Sequence, residues 1–136
     1  MDLLKAIEVS GSGLNAQSTR IRMISENLAN ADSVITEDTT DPYRRKEILF
    51  RSAMDRASGM TRVEVAGIKE DTETPFKQTF DPAHPLANEE GYVRYPNVNS
   101  TVESMNLREA ARSYEANLQA IESAKDMMSR TLNLLR

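Results

Sequence analysis

Both ends of this chain carry an apolar residue at every seventh position. Near the start the row is Ile7, Leu14, Ile21 and Leu28, with a companion row Leu3, Ser10, Gln17, Ile24 and Ala31 that is apolar only at its ends. Near the finish one row is Leu107, Tyr114, Ile121, Met128 and Leu135, and the other is Ala111, Leu118, Lys125 and Leu132. Alternating four and three residue steps mark the seam of paired helices, so each end is expected to be a long helix. All five prolines (42, 75, 82, 85 and 96) fall between these ends. The charge divides the same way. Residues 1–31 hold three acids and three bases, residues 101–136 hold five of each, and the middle therefore carries the whole net charge of -4.

The sequence divides into an N-terminal helix over 1–31, a strand-rich middle over 32–100 and a C-terminal helix over 101–136. Gly11 and Gly13 interrupt the first helix, each costing about 1 kcal/mol relative to Ala. The second has an S-x-x-E pattern, Ser100 with Glu103, which predicts a capping box and a start near Thr101. From there it would run about 54 Å at 1.5 Å per residue. In the middle, the runs 43–52, 62–68, 76–80 and 92–95 read as short strands between Pro, Gly and polar clusters. Residues 32–42, "DSVITEDTTDP", read as an exposed acidic loop. The fold class is α+β, with the terminal helices paired as a coiled-coil-like hairpin, parallel or antiparallel. Pairing the two seams would leave Ala6, Val9, Ala16, Met23, Ala110, Ala124 and Met127 on outward faces, which calls for further copies of the chain.

Several functions find no residues to carry them. With no cysteine there is no disulfide, zinc-thiolate site or thiol catalysis. No run of 18 apolar residues could span a membrane as a helix, and the acidic balance argues against nucleic acid as a main partner. The N-terminal "MDLLKAIEVSGSG" lacks the basic and unbroken apolar regions of a cleavable secretory signal. His84 has only Asp81 nearby and two flanking prolines, which reads as a rigid turn. Gly11-Ser12-Gly13 lacks the lysine and preceding strand of a phosphate loop and reads as a close-approach point in a helix. Arg44-Arg45-Lys46 reads as a solvated strand, with a contact to a neighbouring subunit as the functional alternative. Asn27 and Asn30 are expected to end the first helix, because Asn tolerates a left-handed C-cap. No catalytic, cofactor or metal site is expected; the chain reads as an assembly component.

The joint before the second helix, "GYVRYPNVNS", reads as a stiff coupling. Tyr95 is held extended by the following proline, Pro96 fixes its own φ, Asn97 and Asn99 bond to backbone, and Ser100 caps the helix.

"GLNAQSTRIRMISENLANADS" (13–33) is similar to the N-terminal signature of the bacterial flagellar rod and hook axial proteins, with Asn27-Leu28-Ala29-Asn30 at its heart. "EAARSYEANLQAIESAKDMMSRTLNLL" (109–135) resembles their C-terminal signature around Tyr114-Glu115-Ala116-Asn117. "DPYRRKEILF" (41–50) and "FDPAHPLANEEGYVRYPNVN" (80–99) resemble a rod member of that family more specifically. The resemblance implies a proximal rod subunit of the basal body, spanning the periplasm, exported unfolded through the flagellar type III apparatus. Its partners would be copies of itself and other rod proteins, with the terminal helices lining a tube around the export channel. The assembly seam would be Ile7, Leu14, Ile21, Leu28, Leu107, Tyr114, Leu118, Ile121, Met128, Leu132 and Leu135. The alternatives are a cytoplasmic coiled-coil adaptor or export chaperone and, as an enzyme, a peptidoglycan hydrolase using Glu89 or Glu90.

Overall fold

The computed structural model describes residues 3–34 and 41–135. The elements run α1 (Leu3–Ala29), β1 (Lys46–Asp55), β2 (Met60–Glu70), β3 (Lys77–Phe80), β4 (Tyr92–Tyr95) and α2 (Ser100–Leu134). This is an α+β arrangement of two long terminal helices with two small sheets between them in the sequence, β1–β2 and β3–β4. Most of the expected acidic loop lies outside the described residues; of its last two, Asp41 is exposed and Pro42 is buried.

The chain forms two compact units, each drawn from separated stretches. The first comprises Met1–Ile21, Ile48–Gly67 and Arg108–Arg136. The second comprises Arg22–Glu47 and Ile68–Leu107.

In the first unit the helices pair antiparallel. Gly13 abuts Asn117, and Arg20 Nη2 donates to Glu109 Oε2 at 3.1 Å. Seven residues forward in α1 thus match eight backward in α2. α1 runs unbroken through Gly11 and Gly13. The Ser12 hydroxyl donates to Val9 O at 2.6 Å and accepts from the Val63 amide of β2 at 3.2 Å. Arg62 of β2 adds an ion pair to Glu8 at 2.5 Å. The strands turn at residues 56–59, a connection too short for anything but an antiparallel pair. Asp55 accepts there from the Ala57 amide and the Ser58 hydroxyl, and Gly59 adopts φ 68°, the left-handed region that favours glycine.

The core of this unit corrects the expected seam. Ala16, Ala110 and Ala124, expected to face outward, are buried, as is Met60. Leu118, Leu132 and Leu135 are exposed, while Ile7, Leu14, Ile21, Tyr114, Ile121 and Met128 are half-buried. Val9 and Met127 are exposed, as expected from the pattern, and Ala6 is half-buried. Small side chains allow close helix approach, so the alanine and glycine positions take the centre and the larger apolar groups splay to the flanks.

The second unit is built on Ile24, Met23, Val93, Pro96 and Val98, all buried; Met23 was another residue expected to face outward. Leu28 and Leu107 are half-buried here. β3 and β4 pair antiparallel from Lys77↔Tyr95 to Phe80↔Tyr92. Phe80 and Tyr92 meet edge-on, with ring centroids 5.3 Å apart. Gly91 completes the connection at φ 82°, and a Cβ there would lie 2.9 Å from the Phe80 ring.

Candidate functional site

The most developed constellation is in the second unit, around the first residues of β1. Four consecutive backbone groups are all held from outside the strand. The Arg45 amide donates to Asn97 Oδ1 at 2.7 Å, and the Arg45 carbonyl accepts from the Asp71 amide at 2.8 Å. The Lys46 amide donates to Asn27 Oδ1 and the Lys46 carbonyl accepts from Asn27 Nδ2, both at 2.9 Å. Asn27 thus presents its side-chain amide as a strand partner would present its peptide. Its Oδ1 also accepts from the Tyr43 hydroxyl at 2.8 Å. Asn97 spends its Nδ2 on the carbonyls of Asp71 and Thr74, at 3.0 and 3.1 Å. Each asparagine uses a donor and an acceptor together, so neither Asp nor Leu could replace it.

The Arg45 side chain closes the cluster. Its Nε donates to Glu103 Oε1 at 2.6 Å and its Nη1 to Glu47 Oε1 at 2.7 Å, with Asp71 Oδ2 at 3.9 Å. Glu103 is almost wholly buried, at 1% exposure. Its second oxygen lies 3.5 Å from Asn27 Nδ2. A carboxylate without water requires such compensation. Burial opposes the Arg45 charge, but the hydrogen bond and charge of Glu103, then of Glu47, carry its pKa above the ordinary value. Burial, followed by the carboxylates of Glu26, Glu103 and Glu70, pushes the Tyr43 phenol up to about 12. The Thr74 amide and hydroxyl, the Glu73 amide and then Arg45 hold Asp71 below the usual carboxylate range against its burial. Asp71 thereby fixes the turn after β2, accepting from the Glu73 and Thr74 amides at 3.0 Å each.

This cluster changes three expectations. Asn27 does not end α1; it is fully buried within the helix, which continues to Ala29. Asn30 follows the helix end, its amide and side chain both donating to Glu26 O, and no described residue other than glycine has a positive φ. The Ser100–Glu103 capping box is absent: Asn99 Oδ1 accepts from the Thr101 and Val102 amides at 3.1 and 3.3 Å, and Glu103 turns to Arg45. Asn99, one residue before the serine, outcompetes it because its side-chain carbonyl reaches both free amides at once. Arg44-Arg45-Lys46 is half-buried and not a freely solvated strand, and each side chain has a partner within the unit. Arg44 stacks 4.4 Å over Phe76 and pairs with Asp41, Arg45 is clasped as described, and Lys46 pairs with Glu26.

Of the remaining family-motif residues, Tyr114 and Asn117 are half-buried, while Ala29, Glu115 and Ala116 are exposed. In the joint, Tyr95 is half-buried, Pro96 and Asn97 are buried, and Asn99 and Ser100 are exposed. Lys77 donates to the Val98 carbonyl, tying β3 to the same joint. His84 accepts at Nδ1 from the Leu86 amide at 3.1 Å inside a turn. Among the described residues no three His, Cys, Asp or Glu side chains gather as metal ligands, and no helix is long and apolar enough to cross a membrane. The cluster's chemistry is that of a clamp.

A signal for the clasp was present as a second heptad. In α1 the row Ala6, Gly13, Arg20, Asn27 is small or polar, and in α2 so is Glu103, Ala110, Asn117, Ala124. These rows contain Gly13 with Asn117 and Asn27 with Glu103, and Arg20 of the first row meets Glu109 beside the second.

Comparison with known proteins agrees with this architecture. A family model described as flagella basal body rod protein matches residues 7–34. Another, described as flagellar basal body rod FlgEFG protein C-terminal, matches residues 89–134. The flagellar basal-body rod protein FlgC of Agrobacterium fabrum is 45% identical over the whole chain and 98% of its own length. The FlgC proteins of Yersinia enterocolitica and Salmonella typhimurium are each 42% identical, with 98% of both chains covered. Such relatives lend no support to the adaptor or chaperone alternative. At this identity and coverage, the chain belongs to the FlgC family of flagellar basal-body rod proteins.

Proposed function

We propose that the chain is a structural subunit of the proximal rod, packing with copies of itself and with other rod proteins into a helical tube. The observation that carries this reading is exposed apolar surface along α2 and just past its end. Leu118, Met127, Leu132, Leu134 and Leu135 are exposed, Leu134 at 87%, while the small residues Ala110 and Ala124 are inside. Exposed apolar groups in rows call for an apolar neighbour. A contact between unlike faces whose rotation does not close builds an open helical array. Methionines on such faces accommodate slightly different neighbours, and the equal numbers of acids and bases over residues 101–136 avoid like-charge repulsion along the tube.

In this reading residues 1–31 and 101–136 form the inner tube around the export channel, and residues 32–100 form an outer layer. The seam rows Ile7, Leu14, Ile21, Leu28 and Leu107, Tyr114, Leu118, Ile121, Met128, Leu132, Leu135 supply contacts between subunits. The subunit acts by packing and torque transmission, without catalysis, and reaches the periplasm-spanning rod through the flagellar export apparatus. The clasp couples the strands to both helices, which suits a shaft under twist.

Leu118→Asp and Ile121→Asp place a charge in the seam, and either is expected to abolish rod assembly and motility. Wild-type swimming in both variants would contradict the reading. A Gly-Ser insertion after Asn97 is expected to weaken swimming while subunits are still exported; unchanged swimming would refute the coupling role of the joint.

A further inference from the structure

The apolar heptads that pair the helices are poor at choosing a register. Sliding α2 by seven residues along α1 replaces Tyr114 by Leu107 or Ile121, and Leu118 by Ala111 or Lys125, so one row exchanges apolar for apolar and the other does so in one direction. Repeating patterns of this kind rely on isolated polar positions to fix alignment. In the first unit two contacts do not repeat. A Cβ on Gly13 would lie 2.9 Å from both Asn117 Nδ2 and Asn117 Oδ1, so the Asn117 amide occupies the space that a side chain at 13 would need. Asn117 Nδ2 meanwhile donates to the Ser113 carbonyl of its own helix at 2.9 Å, which holds the amide in place. One α1 heptad further on, Arg20 meets Glu109 at 3.1 Å.

From these contacts we infer that Gly13 and Asn117 form a register key: the asparagine of the C-terminal signature selects one alignment of α2 on α1 within a single chain. A seven-residue slip sets Gly13 against Ala110 or Ala124, leaving a void beside the glycine. It also sets Arg20 against Val102 or Ala116 in place of Glu109, and neither accepts a proton donor. Asn117 itself would move opposite Ala6 or Arg20, where no glycine makes room. The Arg20–Glu109 pair is half open to solvent and contributes modestly, so within the first unit the glycine–asparagine fit carries most of the discrimination, beside the Glu103 contacts that fix the helices in the second. The inference concerns the folding of one chain and does not depend on rod assembly.

The chain has no native cysteine, so spin labels can be placed at will. Asn15→Cys and Glu115→Cys, both at exposed positions, report the distance between the helices by pulsed electron resonance on the full chain. Trimethylamine N-oxide would be added to favour the buried state. A seven-residue slip moves one label about 10 Å along the axis. The unmodified background should give one distance; Asn117→Ala and Gly13→Ala should each add a second population displaced by a slip. A single native distance in both variants, with helix content preserved by circular dichroism, overturns the inference. Where a single variant loses its helix, the exchange Gly13→Asn with Asn117→Gly decides. Recovery of the native distance supports the key, and a mixed or absent distance overturns it.

Discussion

The two units of this chain settle their polar groups in different ways. In the second, Asn27, Arg45, Asn97 and Glu103 satisfy one another and the backbone of residues 45–46 internally. In the first, polar contacts are local side-chain bonds and ion pairs at the surface, such as Arg20–Glu109 and Arg51–Glu64, and apolar side chains remain outside. Its β1–β2 residues Leu49, Phe50, Met54 and Val63 are exposed along with the leucines of α2. Two-stranded ribbons are marginal without cover. The contrast teaches that the second unit completes its own polar pairing, while apolar surface stays open in both, with Phe80 and Met105 exposed in the second.

Breaking the clasp should have the largest effect on stability. Arg45→Ala strands the buried Glu103 carboxylate without its cation, and losses of this type cost about 3–5 kcal/mol. Urea unfolding followed by circular dichroism measures it; a loss below about 1 kcal/mol would show that the clasp is not what completes the unit. Leu118→Asp makes the opposite test in the first unit. Its site is already exposed, so the same unfolding curve should shift by no more than about 0.5 kcal/mol even where assembly fails.

Asn97→Ala comes next. It leaves the Arg45 amide and the Asp71 and Thr74 carbonyls without their partner. Stranded buried groups cost about 1–3 kcal/mol. Asn97→Asp should rescue little, since it keeps the acceptor and loses both donors.

Acid should reach the second unit through Asp71. Its folded pKa lies below the ordinary 3.8, so its contribution is fully present above that value and is lost as the pH falls through the lowered one. The urea midpoint should therefore drop below about pH 4, and Asp71→Asn should flatten that drop. Tyr43 has the opposite sign. With its pKa raised from 10.0 to about 12, its contribution is present below pH 10 and is lost as the pH rises through 12.

The smallest effect separates the two glycines of α1. A Cβ at Gly11 would meet nothing within 4 Å. Gly11→Ala should therefore stabilise the first unit by up to about 1 kcal/mol through helix propensity. Gly13→Ala should gain less or lose, because it displaces Asn117. Equal gains at both positions would remove the distinction.

The helices and strands were legible because they rest on repeating signals. Seven-residue spacing marked α1 and α2, and the short β-branched and aromatic runs marked four strands with ends displaced by up to three residues. β1 begins at Lys46 and not at Tyr43, and just before it the Arg45 amide is taken by the Asn97 side chain. The clasp was harder to read because asparagine and glutamate near a helix end serve equally as caps. Nothing local distinguishes Asn27 as a buried clamp from Asn27 as a C-cap; only Lys46, nineteen residues away, makes the difference. The outward placing of Ala16, Met23, Ala110 and Ala124 failed for a related reason. Periodicity reveals which residues share a stripe, but both the leucine stripe and the small-residue stripe have the same period. Which one faces inward depends on how closely the backbones approach, and that is set by Gly13, Ala16 and Ala110.

The central claim is that the small and polar stripe closes the chain on itself while the leucine stripe is kept for neighbours. A reconstruction of the assembled rod at side-chain resolution tests it directly. The account predicts Gly13 against Asn117 within each subunit, with Leu118 and Leu132 buried between subunits. Leu118 and Leu132 lying open to the channel, with Ala110 and Ala124 at the contact between subunits, would contradict it.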